Sequence, residues 1–419
     1  MAQSPTDVLI IGAGIGGLTL GLALHQRGIP AHIYEAAAHV KPIGAGLNLL
    51  PHAVAQLADL GLLEALAELA VATQESVFFN RFGQLIYREA AGRHGGYAWP
   101  QLSMHRGDLQ AVLLHATRQR LGAERLHFGW RCSGATQANG ETVAQFEDEA
   151  GTGLPHQSGS ILIACDGIHS TVRRQLYPHE REPIYSGVNM WRGVTRQPAF
   201  LTGASMVRAG WLSTGKMVIY PVRNHADGSQ LINWVAELET PNYRRWDWNR
   251  PGRLEDFITA FSDWHFDWLN VPAMICAAQS ILEFPMVDRD PLPRWSFGRI
   301  TLLGDAAHPM LPRGSNGAVQ AILDARDLAD RLAGGTDWVR ALEHYDQHRR
   351  AATTAVVLAN RSHPPDAILR EIYVRTGDRP FVAIDEVISA AELAQISNSY
   401  KNISGYGTGA PTASVSAKA

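Results

Sequence analysis

A glycine-rich turn near the start of the chain has the spacing of a dinucleotide-binding site. Residues 12–17 read GAGIGG and follow a β-branched run that is typical of a buried strand. In the pattern G-x-G-x-x-G, Gly12 permits the tight turn, Gly14 lets the backbone approach a pyrophosphate, and Gly17 lets the next helix pack closely. The N–H groups that open this helix attract phosphates. The predicted cofactor contacts in the turn are Gly12, Gly14, Ile15, Gly16 and Gly17.

A carboxylate at the end of the second predicted strand supports the same ligand. Glu35 follows Gly12 by 23 residues, at the position where an acidic side chain accepts hydrogen bonds from ribose hydroxyls. Ala36 comes directly after it and is included in the predicted site. The alternative interpretation is a glycine-rich strand–helix turn that holds no ligand.

Two later segments decide between FAD and NAD, which both satisfy this pattern. Residues 165–173 read CDGIHSTVR, and residues 304–309 read GDAAHP. Each segment places an aspartate, Asp166 or Asp305, after a predicted buried strand, where ligands of open α/β sheets bind. Asp305 can accept a hydrogen bond from a ribityl hydroxyl, and a helix that opens at Gly317 can direct N–H groups at a ring carbonyl. An NAD-binding fold would not need cofactor contacts at both Gly12 and Gly317, which favours FAD.

These segments resemble the D-G and G-D motifs of the single-component, FAD-dependent aromatic hydroxylases. Other segments that match the family are residues 43–51 (IGAGLNLLP), 105–109 (HRGDL), 190–194 (MWRGV) and 285–293 (PMVDRDPLP). The combination is most similar to the phenazine-1-carboxylate and salicylate hydroxylase-like branch. The resemblance covers about residues 7–362, and it is more specific for the flavin motifs than for the substrate side.

The resemblance implies a role for each matching residue. The glycines of the first turn hold the FAD pyrophosphate, Glu35 holds the adenosine ribose, and Asp166 helps secure the cleft. Asp305 binds the ribityl chain or phosphate, and Pro312 shapes the flavin site without acting as an acid or base. Further implied cofactor contacts are Gly46, Leu47, Arg106, Gly314, Gly317 and Ala318. Arg106 has an alternative as a surface cation, Arg173 is expected to pair with the D-G loop, and His308 is expected to be structural.

The resemblance also implies the reaction. NADH or NADPH reduces FAD, reduced FAD adds O2 to form a C4a-hydroperoxide, and one oxygen atom passes to an electron-rich aromatic ring. The sequence contains no Ser-His-Asp pattern, no H-E-x-x-H and no carboxylate pair that can be placed in one site. Since the three cysteines form no C-x-x-C pair, no metal site is predicted either. This fits an enzyme whose cofactor carries the chemistry. Since no second G-x-G-x-x-G occurs, the choice between NADH and NADPH stays open.

Three residues are predicted to contact the substrate. The substrate is expected to be a small aromatic compound, and carboxylated and phenazine-like compounds are both candidates. The three residues are Asn48, Arg192 and Tyr220. A fixed guanidinium at Arg192 can pair with an aromatic carboxylate through two hydrogen bonds, and its alternative is an ion pair at a domain boundary. No base that would deprotonate a phenol is identified. A tryptophan-rich segment, residues 191–268, is predicted to exclude water from the site, with core packing as the alternative for most of its tryptophans.

The order of predicted elements gives an α/β fold. We expect a Rossmann-like FAD-binding domain, an inserted and mostly antiparallel β-sheet that binds substrate, and C-terminal helices. A single helix is predicted over residues 50–66 and a single strand over residues 76–87. The predicted segments are FAD-binding 1–75, substrate-domain strands 76–100, FAD-binding 101–183, substrate sheet 184–290, FAD-binding 291–362, C-terminal extension 363–400 and flexible tail 401–419.

Composition narrows the class of protein further. The 419 residues carry a formal net charge of −3, which gives no reason to expect nucleic acid or an anionic membrane surface as partner. The three cysteines are far apart in the sequence, so a reducing cytoplasm is expected rather than a disulfide framework. The apolar run at residues 8–24 contains five glycines and is predicted to be a strand and helix rather than a membrane span. Monomer and homodimer are both open.

Three other functions compete with the hydroxylase. The first is a flavin oxidoreductase that inserts no oxygen. The second is a flavin halogenase, suggested by the W-x-W of residues 246–248 but opposed by the Asn-Arg-Pro that follows. The third is a non-catalytic binding protein on the same fold, such as the Rab GDP-dissociation inhibitors, and the intact D-G and G-D motifs argue against it.

Overall fold

The computed structural model describes residues 7–39, 45–241 and 250–406. The strands are β1 (Val8–Ile11), β2 (Ala31–Glu35), β3 (Gly46–Leu49), β4 (Val71–Thr73), β5 (Glu75–Phe79), β6 (Leu85–Ala90), β7 (Gln101–His105), β8 (Leu126–Phe128), β9 (Arg131–Ala138), β10 (Glu141–Glu147), β11 (Gly153–Gly159), β12 (Ile161–Ala164), β13 (Ile184–Pro198), β14 (Ser205–Trp211), β15 (Gly215–Asn224), β16 (Ser229–Glu239), β17 (Arg250–Pro251), β18 (His265–Phe266), β19 (Leu269–Asn270), β20 (Ile281–Asp288), β21 (Ser296–Phe297) and β22 (Ile300–Leu302). The α-helices are α1 (Ile15–Gln26), α2 (Pro51–Asp59), α3 (Leu63–Leu69), α4 (Arg106–Leu121), α5 (Thr171–Leu176), α6 (Val271–Cys276), α7 (Asn316–Ala333), α8 (Trp338–Ser362), α9 (Ala367–Thr376) and α10 (Ala390–Ile403).

A six-stranded sheet forms the cofactor side of the molecule. Its order is β21-β22-β12-β1-β2-β8, and all neighbours are parallel except β21 and β22. Strand β1 is buried over its whole length, as expected for a central strand covered on both faces. Helix α1 packs against α4 and α7. Because β1, β12 and β22 are parallel neighbours, the glycine turn, the D-G loop and the G-D loop meet at one edge.

An eight-stranded sheet forms the other large layer. Its order is β17-β20-β13-β16-β15-β14-β5-β6, and its pairs are antiparallel except β14 with β5. Successive side chains on a strand face opposite sides, and one face of this sheet packs onto a core that includes Trp191, Trp234, Phe257 and Trp264. The other face turns toward the edge of the six-stranded sheet. The predicted α/β class with an inserted, mostly antiparallel sheet is confirmed.

Smaller sheets and the C-terminal helices complete the architecture. Strands β9, β10 and β11 form an antiparallel sheet, and β7 pairs with β3 and β4. Helix α8 packs on α7, and α10 contacts both α8 and α9. Helix α10 extends to Ile403, three residues into the segment predicted as a flexible tail, and residues 407–419 lie outside the described ones. The domain boundaries themselves stay a prediction.

Two predicted elements are wrong because turns interrupt them. The helix expected over residues 50–66 is divided into α2 and α3 at Gly61, whose φ of +68° is unfavourable for other residues. The strand expected over residues 76–87 is a hairpin of β5 and β6, closed by a turn at residues 80–84. Apolar residues continue through the first turn, where residues 60–62 read LGL, so composition alone hides it. The second turn reads NRFGQ, a polar segment with a glycine that is a turn signal the prediction overlooked.

Candidate active site

A cavity of about 390 Å³ lies between the edge of the six-stranded sheet and the free face of the eight-stranded sheet. It brings together most of the predicted site. The predicted residues that line it are Gly14, Ile15, Gly16, Gly46, Leu47, Asn48, Arg106, Arg192, Tyr220, Asp305, Pro312, Gly314, Gly317 and Ala318. The predicted residues that do not line it are Gly12, Gly17, Glu35, Ala36 and Asp166.

The three glycines of the first turn have different surroundings. A Cβ on Gly12, where φ is +103°, would lie 2.5 Å from the carbonyl oxygen of Cys165. A Cβ on Gly17 would lie 2.0 Å from the carbonyl oxygen of Gly12. A Cβ on Gly14 would meet no heavy atom within 4 Å in the described part of the chain, apart from its chain neighbours and its own helix backbone. Gly12 and Gly17 are therefore required for packing within the protein, whereas Gly14 keeps space open on the cavity side.

Glu35 holds the glycine turn through backbone hydrogen bonds. Its Oε2 accepts a hydrogen bond from the N–H of Ala13 at 2.8 Å, and its Oε1 accepts one from the N–H of Ala37 at 2.9 Å. Ala36 is exposed beside it. The carboxylate thus links the end of β2 to the turn after β1, and its contact with ribose stays a prediction.

The D-G loop contains a buried carboxylate oxygen that no described group satisfies. Asp166 Oδ2 accepts a hydrogen bond from the N–H of Thr171 at 2.9 Å, but Oδ1 has no hydrogen-bond partner among residues 7–39, 45–241 and 250–406. Burial raises the pKa of Asp166, and hydrogen bonds from Ser170 and nearby N–H groups oppose the rise. A buried acceptor without a partner is costly, so this oxygen is a candidate contact for a ligand.

Arg173 joins the D-G helix to the G-D turn. It is 1% exposed and donates to Glu180 Oε2 at 2.8 Å. It also donates to the carbonyl oxygens of Ala306 and Ala307 at 2.9 and 3.0 Å. The prediction that Arg173 forms an ion pair with the D-G loop is wrong, because its acidic partner is Glu180.

The G-D turn carries Asp305 at its tip and rests on a buried ionic network. Asp305 is exposed to the cavity. Beneath it, His308 Nε2 lies 2.5 Å from Asp324 Oδ2, and Arg349 donates to Asp324 Oδ1 at 2.8 Å. Asp324 also accepts a hydrogen bond from the N–H of Gly304 at 3.2 Å. His308 therefore supports the turn from the protein side, as its predicted structural role requires.

Replacing Asp324 by asparagine is expected to lower the free energy of unfolding by about 2 kcal/mol, since it removes the charge that His308 and Arg349 share. Burial raises the pKa of Asp324, but those two charges outweigh burial and hold it below its usual range. A depressed folded-state pKa stabilises the protein above the unfolded pKa of about 4, and this contribution is lost as pH falls through the folded value. Urea unfolding of both proteins from pH 7 to pH 3 measures the difference.

The control is Asp330→Asn, which removes the exposed ion pairs of Asp330 with Arg27 and Arg326. This change should cost well under about 1 kcal/mol because exposed pairs contribute little. Equal losses in the two variants would contradict the assigned role of Asp324.

The loop before α7 closes the cofactor side of the cavity. Pro312, Gly314 and Gly317 all line it. Apart from its chain neighbours and its own helix backbone, a Cβ on Gly317 would meet no heavy atom of a described residue within 4 Å. Helix α7 begins at Asn316 without a side-chain cap, so the N–H groups of its first turn remain available. The loop and α1 thus direct two helix N-termini toward one cavity.

The strand β3 side of the cavity is fixed by buried hydrogen bonds. The N–H of Gly46 donates to Asn233 Oδ1 at 2.6 Å, and Asn48 Oδ1 accepts a hydrogen bond from Ser103 Oγ. Arg106 is exposed at the first residue of α4, and its side chain reaches the cavity. Residues 40–44, which include part of the predicted flavin-side segment, lie outside the described residues.

The free face of the eight-stranded sheet supplies the substrate side of the cavity. The strand registers align Arg192 of β13 with Val235 of β16, Val235 with Val218 of β15, and Val218 with Arg208 of β14. Met190, two residues before Arg192, lines the same cavity. The result is an apolar centre with an arginine at each side.

The two arginines differ in how well they are neutralised. Arg208 Nε lies 3.3 Å from Asp366 Oδ1, and Arg208 also donates to Ser76. Arg192 donates to the carbonyl oxygen of Gly46 at 2.8 Å and interacts with the Tyr220 hydroxyl. Its Nε is buried and finds no acceptor in the described parts of the chain. Unlike Arg208, Arg192 has no carboxylate partner among the described residues, so it is available to pair with an incoming anion.

A buried ion cluster, absent from the sequence predictions, closes one end of the cavity. Lys216 Nζ lies 2.9 Å from Glu237 Oε2 and 2.5 Å from Asp366 Oδ2. Burial raises the pKa of Asp366, and Lys216 and Arg208 lower it further than burial raises it. Lys216 and Glu237 are cross-strand neighbours on the cavity face, which alternation along β15 and β16 could have indicated. Asp366 comes from the C-terminal extension and carries no local signal.

Among the described residues, none of the tryptophans predicted to exclude water lines the cavity. Trp191 and Trp234 alternate with Arg192 and Val235 and so face the opposite side of the sheet. There they pack against Phe257 in a buried cluster. The core alternative is therefore correct for these side chains, and the halogenase-like residues 246–248 lie outside the described residues.

Comparison with known proteins identifies the family. The FAD-binding domain family matches residues 5–360. The chain belongs to that family. It is 41% identical over 406 residues to the phenazine 1,6-dicarboxylic acid hydroxylase PhzS of Lysobacter antibioticus, covering 95% of this chain and 97% of that protein. It is also 28% identical to the 6-hydroxynicotinate 3-monooxygenase of Pseudomonas fluorescens, covering 91% of this chain and 94% of that protein.

Solved structures share the whole fold. Klebsiella pneumoniae HpxO complexed with FAD and uric acid aligns with a TM-score of 0.76 at 23% identity, covering 96% of this chain and 97% of that one. A salicylate hydroxylase substrate complex aligns with a TM-score of 0.71 at 24% identity, covering 96% of this chain and 95% of that one. The resemblance to the single-component aromatic hydroxylases is confirmed, and the fold extends through the C-terminal helices.

Membership of this family makes the chain an FAD-dependent monooxygenase. The predicted enzyme class is confirmed, as are FAD as cofactor and NADH or NADPH with O2 as co-substrates. No helix in the described part of the chain is long and apolar enough to cross a membrane. Among the same residues, no group of three His, Cys, Asp or Glu side chains is arranged to hold a metal ion.

Proposed function

We propose that this monooxygenase hydroxylates a small aromatic carboxylate, of the class to which the phenazine carboxylates belong. The observation that carries the proposal is Arg192, a cation beside an apolar sheet face that has no carboxylate partner among the described residues. A buried guanidinium favours a carboxylate ligand because two parallel hydrogen bonds and opposite charge act together. The name of the relative from Lysobacter antibioticus, which specifies a phenazine dicarboxylate, supports the aromatic class.

The cofactor side of the cavity fits FAD. The open space at Gly14 and the N-terminus of α1 suit a pyrophosphate. Asp305 is available for the ribityl chain, and the loop at Pro312 and Gly314 is available for the ring. When bound, FAD supplies the redox chemistry that activates dioxygen. The residues of this chain bind the cofactor and orient the substrate beside it.

The substrate side provides an apolar surface for the aromatic ring and a cation that orients it. Met190, Val218 and Val235 form an apolar floor on which a flat ring packs. Arg192 fixes the carboxylate at one side of this floor. At the end of the cavity, the ion cluster around Lys216 is internally neutral, so it offers no free charge to a second carboxylate.

Tyr220 supplies a neutral hydrogen-bond donor beside Arg192. Its side chain is 4% exposed, and burial raises its pKa, while the Arg192 charge partly opposes the rise. The hydroxyl therefore keeps its proton at neutral pH. It can donate a hydrogen bond to a substrate oxygen, and it does not act as the base for a phenol.

The test compares two ligands of the same shape. FAD-loaded protein is titrated with phenazine-1-carboxylate and with phenazine-1-carboxamide, and stimulation of NADH and NADPH oxidation is recorded. We expect the carboxylate to stimulate oxidation at a concentration roughly 100-fold lower than the carboxamide. The reason is that loss of one partner of a buried charge pair costs about 3 kcal/mol. Equal potency of the two ligands would show that charge at Arg192 does not select the substrate.

A cytoplasmic location stays a prediction. The three cysteines are unpaired, which agrees with a reducing compartment. Monomer and homodimer remain alternatives, and size-exclusion chromatography with light scattering distinguishes them.

A further inference from the structure

Helix α10 packs one side chain directly against the loop that closes the cofactor side of the cavity. The family match ends at residue 360, and α10 lies beyond it. Tyr400 of this helix is 2% exposed. Its hydroxyl accepts a hydrogen bond from Asn316 Nδ2 at 2.8 Å and donates one to Asn360 Oδ1 at 2.6 Å. Asn316 is the first residue of α7, so this hydrogen bond lies where the loop ends and the helix begins.

The loop needs support because its backbone is in an unfavourable conformation. Gly314 and Ser315 have φ values of +68° and +60°. The left-handed region costs a residue with a side chain about 1 kcal/mol or more, and Ser315 is such a residue. Surrounding contacts have to hold the two residues in place.

Tyr400 supplies several of these contacts at once. A Cβ on Gly314 would lie 2.1 Å from the Tyr400 hydroxyl oxygen, so the hydroxyl rests on the Cα of this glycine. Asn316 Nδ2 also donates to the carbonyl oxygen of Gly314 at 3.1 Å. Asn360 in turn donates to the carbonyl oxygen of Leu311 at 3.1 Å. One hydroxyl therefore anchors the loop at both of its ends.

The opposite side of the same loop lines the cavity. Residues 312–317 all contact it, on the side where the proposed function requires the FAD ring. A shift of this loop would change the shape of the ring site without changing the pyrophosphate site at Gly14. The consequence would be water beside the ring and loss of reducing equivalents to hydrogen peroxide.

We propose that Tyr400 is a positioning residue. Its hydroxyl sets the conformation of residues 312–317, and through that loop it determines how much of the NADH or NADPH consumed yields hydroxylated product. The claim about product yield rests on the proposed function. The claim that the hydroxyl sets the loop conformation concerns the protein alone and is measurable without FAD.

The test is Tyr400→Phe, with Ser397→Ala as the matched control. Ser397 lies on the same helix, and its hydroxyl donates to Glu89 rather than to the loop. Hydrogen exchange of a peptide covering residues 311–320 is measured in the FAD-free protein. Tyr400→Phe is expected to speed exchange in this peptide about tenfold, the effect of one lost buried hydrogen bond. Ser397→Ala is expected to leave it unchanged.

The second measurement is the ratio of hydrogen peroxide to hydroxylated product in the FAD-loaded proteins, together with the flavin absorption spectrum. Tyr400→Phe is expected to raise the ratio several-fold and shift the spectrum, whereas Ser397→Ala matches the wild type. If Tyr400→Phe matches the wild type in exchange, spectrum and product ratio, the assignment of Tyr400 is overturned. If the wild-type protein forms no hydroxylated product, the proposed function is contradicted. Hydrogen exchange of residues 311–320 then still shows whether Tyr400 sets the loop conformation.

Discussion

Replacing Gly14 by valine is expected to weaken FAD binding about 1,000-fold, a loss of ~4 kcal/mol, while the protein stays folded. Gly14 has φ −74° and ψ −176°, an extended conformation that valine adopts readily. Apart from its chain neighbours and its own helix backbone, no heavy atom of the described residues lies within 4 Å of the added Cβ. The valine side chain instead fills the space next to the N-terminus of α1, where the pyrophosphate is expected to bind. Flavin fluorescence titration of the FAD-free protein measures the affinity.

A neighbouring glycine provides the contrast. Gly17→Ala places a Cβ 2.0 Å from the carbonyl oxygen of Gly12. Because this oxygen belongs to the backbone, it cannot move away without distorting the glycine turn. This variant is expected to lose about 3 kcal/mol of stability, visible in urea unfolding of the FAD-free protein. Full FAD affinity in Gly14→Val would contradict the assigned cofactor site.

Replacing Arg192 by methionine is expected to lower kcat/KM for an aromatic carboxylate between about 100- and 1,000-fold. Methionine keeps most of the aliphatic length, so the apolar floor beside Val235 remains covered. The charge that pairs with the carboxylate is lost, and the effect should appear mainly in KM. Turnover of the matching carboxamide should change by less than about threefold, because that ligand never uses the charge.

The matched control lies on the same strand. Arg196 is exposed and pairs with Asp227 at the surface, four residues along β13 from Arg192. Arg196→Met should leave both substrates unaffected, since an exposed pair contributes little. If Arg192→Met reduced carboxylate and carboxamide turnover equally, Arg192 would hold the sheet at Gly46 rather than the substrate.

The parts of the fold that depend on local sequence could be predicted. The β1-α1-β2 unit follows from a β-branched run, a glycine turn and a helix that ends before Gly28, all within about 30 residues. Helix α4 has the predicted bounds because its apolar spacing is regular. The break at Gly61 was missed because the apolar pattern continues across it, and a single glycine in a helical pattern is often tolerated.

The cofactor side of the site was more predictable than the substrate side for a physical reason. Phosphate binding requires glycine at fixed spacing, which can be recognised in sequence. The substrate side depends on which face of β13 to β16 turns inward, and alternation gives two faces without choosing between them. The sequence analysis therefore assigned residues of both faces to the site. The structure turns Arg192 and Tyr220 toward the cavity, as predicted, but turns Trp191 and Trp234 away from it.

Contacts between distant segments were not predictable at all. Lys216 meets Asp366 across 150 residues, and Tyr400 meets Asn316 across 84. Neither Asp366 nor Tyr400 belongs to a recognisable motif. Both come from the segment predicted only as a C-terminal extension, although one lines the cavity and the other supports its loop.

The mass of the product is the most direct test of hydroxylase activity. Purified FAD-loaded protein is incubated with NADH or NADPH, air and phenazine-1-carboxylate or salicylate, and the organic product and hydrogen peroxide are quantified together. Hydroxylase activity predicts an oxygenated product containing one atom from ¹⁸O2, with little hydrogen peroxide. Oxidation of the reductant with stoichiometric hydrogen peroxide and unchanged ligand, across a panel of aromatic carboxylates, would contradict it.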